Sequence, residues 1–316
     1  MKHPPRVLFL GMQGNFSLPP LHTLLQNGID VCAVVIPAAD GPDRDPLPIK
    51  RKERPPLVRP LLPMLKSSLQ NNIVQLAWQR QIPVWEVTGM ADRSVVAALA
   101  AYQPDVICVA CFSLRIPRVI LDVPRLGCLN VHPSLLPANR GPEPLFWAFR
   151  QGLHKTGVSI HFMHEGMDTG DILAQESIEI PAGMSYAALE YECALRGGEL
   201  LTQSVQALCM GNAIATPQDE KLSSYQSFPT PEDFIVPVAE WSAEHVYRFV
   251  CGVAGWREPI KLQLGHNKYV YVQKATSYSH EDTGTLPGEV YSRYGDTLRV
   301  KCKKGWVGVV NPTASQ

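Results

Sequence analysis

Apolar runs and amphipathic stretches alternate along the first two thirds of the chain. The run at 6–11 is apolar and ends in glycine, as first strands of buried parallel sheets often do. Further strand-like runs are predicted at 31–36, 83–87, 106–111, 128–132, 157–163 and 172–180. Helices are predicted at 19–26, 73–81, 93–102 and 185–210. Strands that alternate with helices favour an α/β fold with a doubly wound, mostly parallel sheet of the Rossmann-like kind.

The pattern changes in the last third of the chain. Residues 213–236 are polar and contain prolines, which predicts a linker. A short helix is predicted at 242–251, because Ser242 and Glu244 supply helix-start chemistry. Short alternating runs follow at 260–264, 269–274, 288–293, 297–301 and 305–310. The expected organisation is an α/β domain over 1–212, a linker over 213–236 and a small OB-like β-barrel over 237–316.

Composition and charge narrow the class of protein. The 316 residues are 45% hydrophobic, which allows two domains with sizeable cores. Lys plus Arg and Asp plus Glu each total 29, so a broadly basic nucleic-acid coat is excluded while local basic patches remain open. No run approaches the roughly 18 apolar residues of a membrane span, and the first apolar run is too short for a signal peptide. We therefore expect a cytoplasmic protein with no membrane partner.

A basic, proline-rich stretch at 38–63 interrupts the α/β pattern. It predicts a long surface loop at the sheet edge. Two interpretations stay open for this loop, namely a solvated connector and a surface that contacts substrate. Six basic side chains lie within 44–60: Arg44, Lys50, Arg51, Lys52, Arg54 and Arg59.

Candidate chemistry begins at the predicted strand 128–132. Asn130 and His132 are two residues apart, so their side chains project to the same side. Pro133 ends the strand, which leaves both at its carboxyl edge, where open α/β sheets bind ligands. An amide beside an imidazole suits acyl transfer, because both donate hydrogen bonds to an oxygen that gains negative charge. The alternative is a structural Asn and His that cap a turn.

A second segment favours chemistry over the structural alternative. Here the strand at 157–163 runs into a Glu-Gly-Met-Asp-Thr-Gly turn and out into the strand at 172–180. Asp168 on this turn is expected to reach His132, orient the ring and raise its pKa. An Asn, a His and an Asp at one sheet edge predict an acid/base and oxyanion site.

These residues carry a family resemblance. Four segments together resemble the signature of the folate-dependent formyltransferases: Asn130-Val-His-Pro-Ser-Leu-Leu-Pro, Arg140-Gly, Gly157-Val-Ser-Ile-His and Asp168-Thr-Gly-Asp. The separation of His132 and Asp168 is 168 − 132 = 36 residues, as in the bacterial methionyl-tRNA formyltransferases. The resemblance covers residues 6–210 well. The C-terminal part more loosely resembles the β-barrel domain of the same enzymes.

The resemblance implies an activity and its catalytic residues. An acceptor amine would attack the formyl carbon of 10-formyltetrahydrofolate, with Asn130 and protonated His132 stabilising the developing oxyanion. Asp168 would keep His132 charged and help to carry a proton to the leaving nitrogen. Overall length, the C-terminal barrel and two basic stretches favour initiator methionyl-tRNA as the acceptor, and hence a role in translation initiation.

The resemblance also implies which residues surround the donor and the acceptor. The folate would contact Phe112, Leu114, Arg115, Ile116, Met163, His164, Glu165 and Gly166. The acceptor would contact Asn15, Phe16, Ser134, Leu135, Pro137, Arg140 and Gly141. No metal is expected, because His161 and His164 are three residues apart near a strand end and need not face one point.

Departures from the resemblance leave the acceptor open. The first loop reads Gly11-Met-Gln-Gly-Asn, where the methionyl-tRNA enzymes have a Gly-Thr-Pro-like start, and the loop at 38–63 lacks their glycine-rich segment. Arg140-Gly-Pro-Glu-Pro-Leu-Phe-Trp-Ala is closer to formyltransferases that act on small amines. The alternatives are therefore formylation of a small amine, such as a nucleotide-linked amino sugar, and hydrolysis of 10-formyltetrahydrofolate. A non-catalytic binding protein would not need all three site residues.

Overall fold

The computed structural model describes residues 4–39, 47–55 and 72–311, which form two compact units. The first unit holds the described residues up to Arg140, together with Gly157–Ser177 and Glu190–Ser224. The second holds Gly141–Thr156, Ile178–Leu189 and the described residues from Tyr225 onward. The domain boundaries predicted at residues 212 and 236 were placed where the sequence pattern changes, whereas these two units are defined by compactness. The predicted domains therefore stay a prediction.

Eight strands of the described chain form one large sheet. They are β1 (Arg6–Gly11), β2 (Asp30–Pro37), β3 (Ile49–Arg51), β4 (Val84–Val87), β5 (Val106–Ala110), β6 (Cys128–His132), β7 (Lys155–Phe162) and β8 (Ile172–Glu179). The helices among them are α1 (Leu18–Gln26), α2 (Ile73–Gln79), α3 (Arg93–Ala100), α4 (Arg118–Leu121), α5 (Pro144–Arg150) and, after β8, α6 (Tyr186–Met210). Asn72 and Asp92 begin α2 and α3 by accepting hydrogen bonds from backbone N–H groups of the first turn.

The strand order of the large sheet is β3-β4-β2-β1-β5-β6-β7-β8. Strand β1 pairs in parallel with β2 on one side and β5 on the other, and β5 pairs in parallel with β6. Strand β3 pairs antiparallel with β4, and β6 pairs antiparallel with β7. The predicted mostly parallel α/β sheet is therefore confirmed. After β1 the chain adds β2 and β4 on one side, and it then returns to add β5 and β6 on the other side. This reversal creates a switch point, at whose carboxyl edge ligands bind in such sheets.

The sequence pattern predicted a loop over the whole of 38–63, but the described part of this region contains a strand. Ile49–Arg51 is a short strand at the edge of the sheet, in antiparallel register with β4. Lys52 continues the contact with β4, because its backbone N–H donates to the carbonyl of Val84 at 2.8 Å. Its own carbonyl accepts a hydrogen bond from Trp78 Nε1 of α2 at 3.1 Å. Three residues are too few to give an alternating pattern in the sequence. Arg44 and Arg59 lie outside the described residues.

Buried aliphatic side chains form the core of the first unit. Leu8, Leu10, Val35, Ile107 and Val109 from the central strands are at most 3% exposed. These strands are buried on both faces, which explains their nearly continuous apolar sequences.

The second unit contains seven strands and a helix at the C-terminal end of the chain. They are β9 (Ile235–Pro237), α7 (Ala243–Val253), β10 (Ile260–Gly265), β11 (Lys268–Val272), β12 (Lys274–Ser279), β13 (Val290–Tyr294), β14 (Thr297–Lys301) and β15 (Trp306–Val310). The strands form two sheets, β11-β10-β9 and β12-β15-β14-β13, and all their pairs are antiparallel except β9 with β10. The run predicted as one strand at 269–274 is in fact two strands, which meet at Gln273.

Helix α7 begins as predicted. Ser242 precedes it, and the Ser242 hydroxyl accepts a hydrogen bond from the backbone N–H of His245 at 3.2 Å. Aromatic rings pack beside this helix within the second unit: the ring centre of Phe146 is 5.1 Å from that of Phe234 and 5.0 Å from that of Trp256. None of the helices formed by the described residues is long and apolar enough to cross a membrane.

Candidate active site

Two neighbouring strands bring the polar site residues together. Strands β6 and β7 are antiparallel, with Asn130 opposite His161 and His132 opposite Ser159. Residues two apart on a strand share a face, and directly opposite residues on paired strands share it too. Asn130 and His132 therefore lie on one face at the carboxyl end of β6, and His161 from β7 joins them.

His161 fixes the orientation of the Asn130 amide. His161 Nδ1 lies 2.7 Å from the carbonyl oxygen of Phe162, and a carbonyl only accepts, so Nδ1 carries the proton. In the neutral ring Nε2 is then an acceptor, and it lies 3.2 Å from Asn130 Nδ2. Asn130 Nδ2 donates one hydrogen to His161 and carries a second that can be donated to a substrate oxygen.

His132 is buried and held from both sides of its ring. It is 4% exposed, and its Nε2 donates to the carbonyl oxygen of Asn139 at 3.0 Å. Its Nδ1 faces Asp168 Oδ2 at 3.7 Å, and Asp168 Oδ1 is 3.6 Å from His161 Nε2. The Asp168 carboxylate thus lies between two imidazoles, with a gap to each that is longer than a direct hydrogen bond.

The surroundings of His132 favour the neutral ring, whereas the sequence led us to expect the charged one. Burial lowers the pKa of His132 below its ordinary value, and the neighbouring His161 lowers it further. The charge of Asp168 and the hydrogen bond to Asn139 raise that pKa, as the sequence predicted for Asp168, but burial dominates. The ring is therefore biased towards its neutral form, in which Nε2 keeps the proton and Nδ1 has a lone pair.

The turn that carries Asp168 is tightly constrained. Asp168 has a φ of 53°, in the left-handed region that few residues other than glycine adopt, although Asp tolerates it better than most. Two residues later, a Cβ on Gly170 would lie 1.9 Å from the carbonyl oxygen of Phe162, so only glycine fits there. The side chain of Asp168 is 10% exposed.

Hydrogen bonds hold the part of the loop between β6 and Arg140 that follows directly after β6. The Ser159 hydroxyl donates to the carbonyl of Ser134 at 2.6 Å and accepts from the N–H of Leu136 at 3.1 Å. Gln175 Nε2 donates to the carbonyl of Leu136 at 2.8 Å. These bonds fix the path that brings the Asn139 carbonyl to His132.

The predicted donor wall lies in two segments of the first unit. The apolar members Phe112, Leu114, Ile116 and Met163 pack against the core of the large sheet. Arg115, Ile116 and Glu165 line a cavity of about 520 Å³. His164 and Gly166 are exposed on the turn beyond β7 and are not among the lining residues of this cavity.

The loop after β4 also lines this cavity, although nothing in the sequence pattern of the loop indicated a binding site. Met90 and Asp92 contribute from this loop, and Arg118 contributes from α4. The position of this loop in the sheet could have indicated its role. Strand β4 is parallel to β2, so its carboxyl end lies at the same sheet edge as that of β5, where ligands bind.

The predicted acceptor contacts differ in exposure. Asn15 is exposed, whereas Phe16, Ser134 and Arg140 are buried at 5%, 1% and 7% exposure. Leu135 and Pro137 are half-buried, and Gly141 belongs to the second unit. Their contact with an acceptor stays a prediction.

The buried side chains among these already have partners in the first unit. Ser134 Oγ donates to the Ala138 carbonyl at 2.7 Å. The Arg140 guanidinium donates to Glu220, with Nη1–Oε2 at 2.9 Å and Nη2–Oε1 at 2.7 Å, and also to Gln218. Within residues 4–39, 47–55 and 72–311, no three His, Cys, Asp or Glu side chains are grouped so as to hold a metal ion.

Two family models match the chain over most of its length. The formyl transferase model matches residues 58–205, and the model of the formyl transferase C-terminal domain matches residues 230–314. The chain is 38% identical over 238 residues to the methionyl-tRNA formyltransferase of Syntrophus aciditrophicus, covering 75% of this chain and 69% of that protein. It is 32% identical to the methionyl-tRNA formyltransferase of Pelotomaculum thermopropionicum, over 96% of this chain and 89% of that protein.

A solved structure shares the fold across both units. It is WlaRD, a sugar 3N-formyl transferase determined in the presence of dTDP and 5-N-formyl-THF, and it matches with a TM-score of 0.65. The match covers 98% of each chain at 15% sequence identity. At that identity the likeness concerns the fold.

Proposed function

The chain belongs to the formyl transferase family, and we propose that it transfers a formyl group from 10-formyltetrahydrofolate to the amino group of initiator methionyl-tRNA. The observation that carries this proposal is the cluster of Asn130, His132 and Asp168 at the carboxyl edge of β6. The three side chains supply a hydrogen-bond donor, a proton carrier and a counter-charge, which is the set that acyl transfer to an amine requires.

The folate donor would supply an activated formyl carbon. The new C–N bond forms to the acceptor amine and the old one to the folate nitrogen breaks, so one proton must move between the two nitrogens. Asn130 would donate its second Nδ2 hydrogen to the formyl oxygen as negative charge grows there. This role needs no movement of the amide, because His161 already holds it in place.

His132 would carry the proton. In the neutral ring that burial favours, Nδ1 has a lone pair and accepts the proton of the amine. Asp168 Oδ2, 3.7 Å from Nδ1, stabilises the resulting imidazolium until the proton passes to the leaving nitrogen. Nε2 remains bonded to the Asn139 carbonyl throughout, which keeps the ring in one orientation.

The cavity beside Arg115 and Ile116 supports a folate donor. Its volume of about 520 Å³ lies within the range of small-molecule sites, about 300–1,000 Å³. Its lining combines the apolar side chains of Met90 and Ile116 with polar groups at loop ends, which suits a flat ring with a hydrogen-bonding edge. A fold relative was solved with a formylated tetrahydrofolate, which supports the same class of donor.

A tRNA acceptor is supported by the named relatives and by the surface of the second unit. Relatives called methionyl-tRNA formyltransferase align with nearly the whole chain. On the second unit, Tyr269 and Tyr271 are 42% and 45% exposed, and Lys261 Nζ lies 5.7 Å from the centre of the Tyr271 ring. Exposed aromatic rings beside lysines suit nucleic acid, since rings stack on bases and lysines contact phosphates.

A second acceptor class follows from the sequence of residues 140–148, which is closer to enzymes that formylate small amines. The test supplies 10-formyltetrahydrofolate with charged initiator tRNA, and separately with amino-sugar nucleotides, while release of tetrahydrofolate is followed. We expect release with the tRNA, and a rate that falls steeply as salt rises. Release only with the sugar nucleotide would transfer the assignment to that acceptor, and release with water alone would indicate a hydrolase.

A further inference from the structure

A segment that the sequence predicted as linker crosses the catalytic edge of the first unit. We call residues 216–224 the strap. At its start, Thr216 and Ile172 exchange two backbone hydrogen bonds of 2.8 and 2.9 Å just after the Asp168 turn. At its end, the backbone of Ser224 accepts from the N–H of Arg140 at 2.9 Å and donates to the carbonyl of Pro137 at 3.2 Å.

The end of the strap also holds the residue that contacts His132. The Ser224 hydroxyl accepts from the backbone N–H of Asn139 at 2.8 Å, and the Asn139 carbonyl accepts from His132 Nε2. Asn139 has a φ of 55°, so it needs such support to stay in the left-handed region. The strap therefore contacts both sides of the catalytic cluster, the Asn139 side and the Asp168 side.

Gln218 makes the contact on the Asp168 side. Its Nε2 donates to the carbonyl oxygen of Asp168 at 2.8 Å and to that of Gly170 at 2.7 Å. Both hydrogens of the amide are thus used on one turn. The Gln218 side chain is placed to pull the two carbonyls together, which holds Asp168 in its left-handed conformation.

Arg140 fixes which way the Gln218 amide points. Arg140 Nε and Nη2 donate to Gln218 Oε1 at 3.1 and 2.8 Å, so the oxygen faces the guanidinium and the nitrogen faces the turn. Glu220, also on the strap, accepts two hydrogen bonds from the same guanidinium and fixes Arg140 in turn. The geometry forms a chain of contacts from Glu220 through Arg140 and Gln218 to Asp168.

We propose that Gln218 is a positioning residue for the transfer reaction, which sets the distance between the Asp168 carboxylate and His132 Nδ1. The inference rests on the proposed function for its effect on rate, but not for its effect on geometry. Without the two donors of Gln218, the turn keeps only the backbone bonds between Ile172 and Thr216 as its link to the strap, and the carboxylate moves away from the ring. A small displacement of a catalytic group is enough to reduce the rate substantially.

The first test compares Gln218→Ala with wild type in steady-state formyl transfer. We expect kcat to fall by roughly 10- to 10²-fold, while KM for donor and acceptor changes less than about threefold. Gln218→Glu should lose a similar factor, since the carboxylate still pairs with Arg140 but offers no hydrogen to the two carbonyls. Gln203→Ala, an exposed glutamine on α6, is the matched control and should retain the wild-type rate.

A double-mutant cycle separates positioning from a general loss of structure. If Gln218 acts through Asp168, then Gln218→Ala should change kcat by less than about threefold in an Asp168→Asn background. An equal loss in both backgrounds would overturn the proposal, and so would a wild-type rate for Gln218→Ala.

An NMR titration decides the geometric claim without any acceptor. His132 is faced by Asp168, His161 and the Asn139 carbonyl, and of the two ionisable groups only Asp168 raises its pKa. We expect the pKa of His132 to fall further in Gln218→Ala and to stay unchanged in Gln203→Ala. An unchanged or higher pKa in Gln218→Ala would refute the positioning role. A chain that transfers no formyl group but shows this fall would contradict the proposed function alone.

Discussion

The candidate active site of the first unit and the C-terminal sheets of the second unit use polar side chains in opposite ways. At the candidate site, His132 and Arg140 are at most 7% exposed, and each is held by named partners. On the C-terminal sheets, Tyr271 and Tyr294 are 45% and 89% exposed. Buried, partnered groups are already oriented for chemistry, whereas exposed groups contribute one contact among many to a large partner. Single substitutions should therefore have large effects in the first region and small effects in the second.

The largest expected effect is loss of catalysis at the edge of β6. Asn130→Ala should lower kcat by about 10²–10³-fold, the usual loss when one donor to a developing charge is removed. His132→Ala should lower it by about 10²–10⁴-fold, the usual contribution of a group that carries the proton. His22→Ala, an exposed histidine on α1, is the control and should have no effect. Steady-state kinetics with the tRNA acceptor measure both. Rates within about threefold of wild type for the site variants would contradict the catalytic assignment.

The next largest effect is expected on the pH dependence of activity, which depends on the pair formed by His132 and Asp168. Because Asp168 raises the pKa of His132 against the effect of burial, Asp168→Asn should lower that pKa further. If neutral His132 accepts the proton, activity is lost as pH falls through the His132 pKa. The acid limb of the kcat/KM profile should then move to lower pH in Asp168→Asn, while kcat falls at every pH. A limb that moves to higher pH would exclude this role for Asp168.

A larger side chain in the Asp168 turn should lower the stability of the protein. A Cβ at position 170 would meet a carbonyl oxygen at 1.9 Å, so Gly170→Ala should cost about 1–3 kcal/mol or more of unfolding free energy. Gly255→Ala is the matched control, because a Cβ there meets nothing within 4 Å. Urea denaturation of both variants measures the difference. Equal stabilities would show that the turn has room to move.

The smallest effect is expected on the exposed surface of the second unit. Lys261→Ala should weaken tRNA binding only a few-fold and reduce its salt dependence by about one counterion. Formyl transfer to a small amine should stay unchanged, because no phosphate is involved. Filter binding at several salt concentrations measures the slope. A change in kcat with the small amine would contradict the view that this surface has no part in the chemistry. An unchanged salt slope would contradict the view that Lys261 contacts a phosphate.

Regular elements with a clear strand-like or helical pattern of apolar residues were predictable from the sequence. Strands β6 and β14 begin and end at the predicted residues, and helix α6 begins within one residue of its prediction. The short elements were not predicted: β3 has three residues, and α5 has seven and begins at a proline. In such segments too few residues repeat for any periodicity to appear.

The amino-acid pattern alone was enough to place the candidate side chains of the first unit, because Asn130 and His132 need only strand alternation to share a face, and a strand-to-strand turn carries Asp168. Tertiary structure alone decided the remaining parts. His161 joins the cluster through the antiparallel register of β6 with β7, and Gln218 reaches Asp168 from 50 residues further along the chain. The direction of the His132 pKa shift likewise depends on the fold, since burial depends on everything packed around the ring. Local pattern specifies which side chains are present on a face, whereas distances and dielectric surroundings exist only after the chain has folded.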